Sequence, residues 1–309
     1  MKSIFVSIAN YRDPETVATL QSLVGQCSPD IRLRIAVLTQ GGEADFAQID
    51  AWAKSSSVDL RHIRIDAARS EGACWARARI QEEYDGEDYY LQLDSHIELA
   101  TAWDRRLAAD FKSARAVAAK PIITAYLASY GFEAGKRRVY VHAPTDFVVH
   151  LNNGVPCARP VFRPSQFLPQ PTHFFSAHFA FAEGSLVSDV PYDPELFFVG
   201  EEISLAIRAV SAGYRMFLPS GYCGAHLYER IEKSGQSRRL IWDEVEDAKR
   251  SLKWWQRDLM SKNKVTAICR GEWFGLFGIA DHHLYRDFAA AFSNVHGIEL
   301  RQTGSPKQD

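Results

Sequence analysis

The chain has 309 residues, of which 46% are hydrophobic and 24% charged, a composition typical of a folded globular protein with a sizeable core. Its formal net charge of -2 gives no overall electrostatic reason to expect nucleic acid or an anionic membrane as a partner. The five cysteines are odd in number and include no CxxC pair, so they indicate neither a disulfide framework nor a cysteine metal cluster.

The N-terminal residues predict a strand and not a targeting segment. The apolar run at 4–9 is followed by Tyr11, Arg12 and Asp13, which leaves no room for the apolar core and cleavage site of a signal peptide. No stretch approaches the roughly 20 apolar residues that a membrane-spanning helix needs. We therefore expect a cytoplasmic protein without a transmembrane segment.

Through the first half of the sequence, apolar runs typical of strands alternate with segments of helical periodicity. The predicted strands cover 4–9, 33–39, 60–65, 89–94 and 117–127. The predicted helices cover 13–26, 45–54, 72–84 and 103–113. This alternation indicates an α/β fold with a mostly parallel sheet, similar to a nucleotide-binding half-fold.

The second half has a different pattern. From 137 to 181 alternating segments such as RRVYVHA and DFVVHL, with a turn at Asn152-Asn153-Gly154, predict antiparallel hairpins. Beyond them, helices are predicted at 203–212, 240–260 and 285–292, and a strand at 214–219. We expect an antiparallel insert within the α/β fold and a helical extension after it.

Two candidate metal ligands directly follow the predicted strand YYLQLD. Asp94 and His96 are two residues apart, a spacing at which both can reach one ion from an extended turn. Open α/β sheets bind ligands at the carboxyl ends of their strands, and His226 offers a third ligand from far along the chain. Three such ligands would leave a cation free to bridge phosphate oxygens. The simpler alternative is an aspartate that caps the following helix, with His96 merely at the surface and His226 a satisfied surface or core residue.

Glu201 and Glu202 emerge from the apolar stretch PYDPELFFV at the start of a predicted helix. Acidic residues in a first helical turn are stabilised by the helix dipole, which is a sufficient structural explanation. The alternative is a catalytic role, in which the carboxylates orient an acceptor hydroxyl or accept its proton.

Further candidates lie at the ends of the first two strands. The segment SIANYRD ends where a nucleotide base and ribose are usually bound, with Tyr11 able to stack and Arg12 to contact phosphate, and Gln40 ends the second strand. Arg77 and Arg79 cannot face one ligand from the same helix; we favour Arg77 and expect the other to meet solvent or a nearby glutamate. The sequence contains no GxGxxG, GxxxxGK[ST] or GxSxG motif.

Several segments together resemble the GlcNAc-transferases typified by the enzyme that modifies hydroxyproline of the Skp1 protein, which are similar in turn to polypeptide GalNAc-transferases. They are IFVSIANYRDPET, VLTQ, GACWARARIQEEYDGEDYYLQLDSHIELATAWD, PYDPELFFVGEE, HLYER and the tail segment GLFGIADHHLYRDFAAAFSNVHGIEL. They occur in the family's order over nearly the whole chain, but residues 131–172 match no family motif.

The resemblance implies a GT-A glycosyltransferase fold with a Rossmann-like central sheet. The catalytic domain would cover 1–238, with an acceptor-side insert at about 131–172, and a C-terminal helical extension would cover 239–309. It also implies a UDP-sugar as donor, a divalent cation, Mn²⁺ or Mg²⁺, and transfer with retention of anomeric configuration. The cation would be held by Asp94, His96 and His226.

The resemblance also assigns roles to individual residues. Glu201 and Glu202 match the acidic pair near donor sugar and acceptor and are expected to be catalytic. The expected diphosphate or sugar contacts are Ser176, Tyr228 and Arg230. The expected nucleotide-binding residues are Ser7, Ala9, Tyr11, Arg12, Gln40, Arg77, Asp94 and Ser95.

The leading hypothesis is therefore a retaining transferase that moves GlcNAc, or a similar N-acetylhexosamine, from UDP to a hydroxyl of a protein or glycan. Two alternatives stay open: a metal-dependent hydrolase, in which the Asp-His-His set activates water, and a catalytically idle protein that binds nucleotide sugars. A glycan acceptor would suit aromatic residues that can stack on sugar rings, although such residues are more often core. These are Phe174, Phe175, Phe179 and Phe181.

Overall fold

The computed structural model describes residues 2–140, 145–229, 240–241, 248, 250 and 252–302. The strands in this part of the chain are β1 (Ser3–Tyr11), β2 (Arg32–Gly41), β3 (Asp59–Asp66), β4 (Tyr89–Asp94), β5 (Ile97–Leu99), β6 (Lys120–Thr124), β7 (Ala128–Glu133), β8 (Lys136–Val139), β9 (Thr145–Asn152), β10 (Val155–Phe162), β11 (Gln170–Thr172), β12 (Phe179–Glu183), β13 (Tyr214–Leu218) and β14 (Gly224–His226). The helices are α1 (Thr16–Gly25), α2 (Glu43–Ser55), α3 (Ala73–Gln81), α4 (Trp103–Arg115), α5 (Leu186–Asp189), α6 (Glu201–Ser211), α7 (Trp254–Arg270) and α8 (His282–His296).

Eight strands form the central sheet in the order β11-β13-β6-β12-β4-β1-β2-β3, so β11 and β3 are its edges. The pairs β1/β2, β1/β4, β2/β3 and β6/β13 are parallel. In contrast, β12 runs antiparallel to both of its neighbours, β4 and β6, and β11 runs antiparallel to β13. The sheet is therefore mixed. The prediction of a mostly parallel sheet holds for the part made of β4, β1, β2 and β3, which comes from the first half of the chain. The chain reaches β12 from the hairpin region without the crossover helix that a parallel connection needs.

The core is formed by two apolar layers, one on each face of this sheet. Side chains alternate along β1, so that Phe5 packs in one layer while Val6 and Ile8 pack in the other. The first layer is covered by α3, α6, α7 and α8, and the second by α1, α2 and α4. All four phenylalanines considered for sugar stacking are at most 2% exposed and belong to these layers, so they are core residues.

The strands β9 and β10 form the predicted antiparallel hairpin. Its two-residue turn is Asn153-Gly154, and both residues have positive φ, 49° and 81°. This is the backbone of a type I′ turn, for which Asn-Gly is the preferred sequence. A second, four-stranded sheet in the order β5-β14-β7-β8 lies beside the central one and positions His226 at the end of β14.

The C-terminal helices α7 and α8 pack on α6 and share its apolar layer, through Val265, Ile268 and Phe292 among others. The helix predicted at 285–292 is confirmed and is longer. Of the one predicted at 240–260, the described part that is helical is the start of α7, from Trp254 onwards. Most of its predicted first half, 242–247, lies outside the described residues. The predicted boundary between 238 and 239 also lies there, and the division into two units stays a prediction. No helix in the described ranges is long and apolar enough to cross a membrane.

Candidate active site

A cavity of about 510 Å³ opens where β1, β4 and β14 end and α6 begins. Because the carboxyl ends of neighbouring parallel strands meet at one edge of a sheet, residues from distant parts of the sequence converge here. The predicted site residues that line it are Ala9, Tyr11, Gln40, Arg77, Asp94, Ser95, His96, Glu201, Glu202, His226 and Tyr228.

Asp94, His96 and His226 face one another at the base of this cavity. Asp94 Oδ2 lies 3.2 Å from His226 Nε2 and 3.9 Å from His96 Nε2. One ligand atom from each of the three residues lies within 4.8 Å of the others, close enough for all three to bind one ion. Sequence positions 132 residues apart thus form a compact set of one carboxylate and two imidazoles.

Asp13 orients this set through contacts with His96 and Ser95. Its Oδ2 lies 2.6 Å from His96 Nδ1 and accepts a hydrogen bond from Ser95 Oγ at 2.8 Å. A carboxylate on one imidazole nitrogen leaves the other, here Nε2, with its lone pair towards a metal. The sequence analysis noted Asp13 only as the last residue of the segment SIANYRD. No pattern among its neighbouring residues indicates the contact with His96.

Arg77 lines the cavity, but it is almost completely buried, with 3% of its surface exposed. Its Nη2 donates to Asp94 Oδ1 at 2.6 Å, and its Nη1 donates to Glu201 Oε2 at 2.7 Å. Arg79, two residues later, is exposed and lies 3.6 Å from Glu82, as expected for the arginine that turns away. One buried guanidinium therefore joins Asp94 to Glu201, the first residue of α6.

The surroundings of Asp94 favour its ionised form. Burial alone would raise the pKa of this carboxyl, but the hydrogen bond from His226 and the charge of Arg77 outweigh it and hold the pKa well below its usual range. Asp94 therefore carries a negative charge at neutral pH, as a ligand to a cation must.

Glu202 differs from its neighbour. Its Oε2 accepts a hydrogen bond from the Tyr126 hydroxyl at 2.5 Å, and its Oε1 accepts one from the Ala177 N–H at 3.0 Å. Burial raises the pKa of Glu202 from 4.5 to about 8, and the nearby Glu201 carboxylate adds to the effect. Glu202 therefore retains its proton to a higher pH than an exposed glutamate does.

A column of aromatic rings forms one wall. The His178 ring centroid lies 4.4 Å from that of His226, which in turn lies 4.3 Å from the ring of Tyr228. His178 Nε2 accepts the Leu127 N–H at 2.9 Å, so its Nδ1 carries the proton and donates to Ser176 Oγ at 3.1 Å. Ser176 thus lies behind His178 and does not itself line the cavity. The sequence reasoning missed His178, which follows two residues after Ser176.

The remaining predicted residues lie at the side formed by β1 and β2. Tyr11 and Gln40 line the cavity, and Ser70 Oγ donates to Gln40 Oε1 at 2.5 Å. Ser7 is buried within β1, between Ala36 and Gln92 on the neighbouring strands, and is not a lining residue. The predicted nucleotide contact of Ser7 stays a prediction.

Two other predicted contacts lie outside the cavity wall or beyond the described part of the chain. Arg12, with φ of 48°, directs its Nη1 to within 3.9 Å of Asp45. Arg230 lies outside the described residues. Arg250 was not singled out by the sequence analysis. Its Nη2 donates a hydrogen bond to the hydroxyl of Tyr11 at 3.0 Å.

A glycine directly precedes each of the two helices, α3 and α6, that bring charged residues to the site. Gly72 precedes α3 with φ of 120°, and a Cβ there would lie 2.6 Å from the backbone oxygen of Phe197. Gly200 precedes α6 with φ of 91°, and a Cβ there would lie 2.8 Å from Val265. Only glycine combines these backbone conformations with such close packing.

Comparison with solved structures shows chains that are similar to this one in structure but low in sequence identity. The structure of GalNAc-T7 with UDP, GalNAc and Mn²⁺ is similar with a TM-score of 0.61 and 14% identity, covering 96% of this chain and 58% of that one. The structure of S. aureus TarS 1–349 in complex with UDP-GlcNAc matches with a TM-score of 0.49 and 14% identity, covering 96% of this chain and 82% of that one. This chain thus spans 58% of the GalNAc-T7 chain, whose fold it shares. Comparison with curated proteins gives no match.

A family model provides the assignment that these structural likenesses leave open. The model for the glycosyltransferase (GlcNAc) family matches residues 3–53 and 43–298, which together cover nearly the whole chain. The match includes β1, the Asp-His-His set, Arg77 and both glutamates of α6. The protein belongs to the glycosyltransferase (GlcNAc) family and has an α/β fold of the GT-A type.

Proposed function

We propose that this enzyme transfers GlcNAc, or a similar N-acetylhexosamine, from a UDP-sugar to a hydroxyl group with the help of a divalent cation. The observation that carries the proposal is the convergence of Asp94, His96 and His226 at the base of a nucleotide-sized cavity, in a chain of this family. The GalNAc-T7 structure of the same fold contains UDP and Mn²⁺.

The three side chains suit a divalent metal ion chemically. A carboxylate oxygen and two imidazole nitrogens are acceptable ligands for Mn²⁺, and Asp13 fixes the His96 tautomer that leaves Nε2 free to bind. When bound, the cation supplies positive charge that neutralises the diphosphate as the sugar departs. Mn²⁺ is the first ion to test, with Mg²⁺ as the alternative.

The chain's own residues bind and orient the donor. Tyr11 and Gln40 lie where the uridine would bind, Tyr11 being able to stack on the base. Arg77 keeps Asp94 ionised and fixes its orientation through the hydrogen bond at 2.6 Å. Tyr228, whose hydroxyl donates to Leu127 O at 2.7 Å, also lines the cavity and is the expected contact to the diphosphate or sugar.

The two glutamates take different parts in this proposal. Glu201 pairs with Arg77 through Oε2, and Glu202 lines the cavity beside it, where we expect it to contact the donor sugar or the acceptor. Because burial raises the pKa of Glu202 to about 8, its protonated form is well populated at neutral pH and is a poor general base there. This supports retention of configuration, in which the leaving diphosphate itself takes the acceptor proton and neither glutamate becomes a covalent nucleophile.

The acceptor, a hydroxyl on a protein or a glycan, would enter from the side of the β9–β10 hairpin. Asn152 and Cys157 of this hairpin line the cavity beside Glu202 and Tyr126. The hairpin belongs to the segment that carries no family motif, so it is the part of the wall that can differ between acceptors.

The test is UDP release from a panel of UDP-sugars without an acceptor, in Mn²⁺ and then in EDTA. We expect slow release from UDP-GlcNAc or UDP-GalNAc that needs Mn²⁺ and disappears in Asp94→Ala and His96→Ala. Asp59→Ala and His150→Ala, at exposed positions, are the matched controls and should keep full release. Undiminished release in EDTA, or in either site variant, would refute the metal assignment.

A further inference from the structure

Tyr126 lies shortly after the end of β6 and lines the active-site cavity, although the sequence analysis did not single it out. Its hydroxyl donates to Glu202 Oε2 at 2.5 Å, its only hydrogen bond among the described residues. The other carboxyl oxygen, Oε1, accepts the Ala177 N–H at 3.0 Å. With one donor on each oxygen, both the position and the plane of the Glu202 carboxyl are fixed.

The ring of Tyr126 is itself held in place by packing. Its centroid lies 4.8 Å from the ring of His178 and 5.9 Å from the ring of Phe147 on β9, edge to face in both pairs. His178 and Phe147 are both buried, and His178 is fixed further by the Leu127 N–H. A ring enclosed by two such neighbours presents its hydroxyl at a defined place in the cavity wall.

No cation among the described residues forms an ion pair with Glu202. The guanidinium of Arg77 donates to Asp94 and Glu201 instead. The orientation of Glu202 therefore depends on two uncharged donors. One is the backbone N–H of Ala177, and the other is the hydroxyl of Tyr126, which is the only side-chain donor of the pair.

We propose that Tyr126 is a positioning residue, which holds the Glu202 carboxyl in place against the sugar that is transferred. This inference rests on the proposed function, because it places Glu202 at the donor sugar. A displacement of about 1 Å at a reacting centre can lower a rate by roughly 100-fold. The nucleotide is expected at the side of Tyr11 and Gln40, so loss of the Tyr126 hydroxyl should affect turnover more than donor binding.

The same hydroxyl influences the proton affinity of Glu202. Burial raises the pKa of this carboxyl, and the hydrogen bond from Tyr126 opposes that effect because it favours the charged form. The other charged and titratable groups that act on Glu202 or feel its charge are Glu201, Arg77, Cys157 and Tyr228. Tyr126→Phe removes none of them, so it should raise the pKa of Glu202 further.

The first experiment measures kcat and KM for Mn²⁺-dependent UDP release from the UDP-sugar that wild type hydrolyses. We expect kcat about tenfold or more lower in Tyr126→Phe, with KM within about twofold of wild type. Added to Glu202→Gln, the same change should cause no further loss, because Tyr126 acts through Glu202. Tyr140→Phe, at a position that is 43% exposed, is the matched control and should keep wild-type values.

Urea denaturation of the metal-free protein at several pH values supplies a readout that needs no turnover. If the hydroxyl contributed only structure, its loss would lower the free energy of unfolding equally at every pH. If it acts on Glu202, the decline of this free energy with rising pH should extend beyond about pH 8 in Tyr126→Phe.

Phe147→Leu replaces Tyr126→Phe if that variant does not fold, since it keeps the hydroxyl and loosens the ring that carries it. Its kcat should also fall, and the loss should again vanish in the Glu202→Gln background. Unchanged kcat in the folded variant, losses that add to that of Glu202→Gln, or an unchanged pH range in Tyr126→Phe would each overturn this inference alone. Absence of UDP release from wild type would instead refute the proposed function, and this inference with it.

Discussion

The carboxylate of Asp13 lies 2.6 Å from Nδ1 of His96, although the two residues are 83 positions apart. This contact fixes the imidazole so that Nε2 faces Asp94 Oδ2. Asp13 thereby controls the geometry of the Asp-His-His set, the candidate metal site, through a hydrogen bond to one of its histidines.

Asp13→Asn should weaken Mn²⁺ binding by roughly 10- to 100-fold, the usual effect of removing a carboxylate that orients a metal-bound histidine. The variant keeps the size of the side chain and removes its charge. Mn²⁺ affinity is measured by electron paramagnetic resonance, which needs no donor or acceptor. Asp30→Asn, at an exposed position, is the control, and equal affinities in the two variants would contradict the role of Asp13.

Arg77→Gln should lower the free energy of unfolding by about 3 kcal/mol or more, because it leaves the carboxylates of Asp94 and Glu201 close together without their shared cation. Arg79→Gln, two residues along the same helix and exposed, should change it by less than about 0.5 kcal/mol. Urea denaturation measures both. A loss in Arg77→Gln no larger than in Arg79→Gln would show that the buried network contributes little stability.

Glu202 should give the protein a pH dependence of stability between about pH 4.5 and pH 8. In this window the folded protein keeps the proton that the unfolded chain has lost, so the free energy of unfolding falls as pH rises. The decline from this one group is at most about 1.4 kcal/mol per pH unit.

Glu202→Gln should remove that part of the slope, since an amide does not titrate. Urea denaturation of the metal-free protein at several pH values compares it with wild type and with Glu272→Gln, an exposed control that should keep the wild-type slope. A decline in Glu202→Gln as steep as in wild type, or steeper, would contradict the raised pKa.

Gly72→Ala should destabilise the protein by about 3 kcal/mol or more, because the backbone at φ of 120° is almost restricted to glycine and the new Cβ would collide with Phe197 O. Gly86→Ala is a matched control: its φ is also positive, 87°, but nothing lies within 4 Å of the added Cβ. It should cost only about 1–2 kcal/mol. Thermal unfolding compares them, and equal losses would mean that the collision with Phe197 is relieved at little cost.

Sequence patterns predicted the parts of the fold that depend on local periodicity. The strand before Asp94, the Asn153-Gly154 turn and the helix after Gly200 are all encoded by neighbouring residues. The convergence of Asp94, His96 and His226 could be anticipated because strand ends of one sheet meet at one edge, and the family motifs indicated the same set.

Other features depend on contacts that no local pattern contains. Asp13 and His178 act through partners distant in sequence, at His96 and Leu127 respectively. The antiparallel direction of β12 follows from the path of the chain, since FAFAE would be buried equally well in either direction. Ser7 is separated from the cavity because strand interiors lie within the sheet and only their ends reach its edge.

Both edges of the central sheet discourage pairing with a strand of another molecule. Along β3 the exposed residues are all charged: Asp59, Arg61, Arg64 and Asp66. At the opposite edge β11 contains Pro171, which has no N–H to donate to an added strand. Charges and proline at sheet edges are the features by which proteins resist edge-to-edge aggregation. The central sheet therefore offers a poor template for self-association, and the opening of the cavity need not be protected against it.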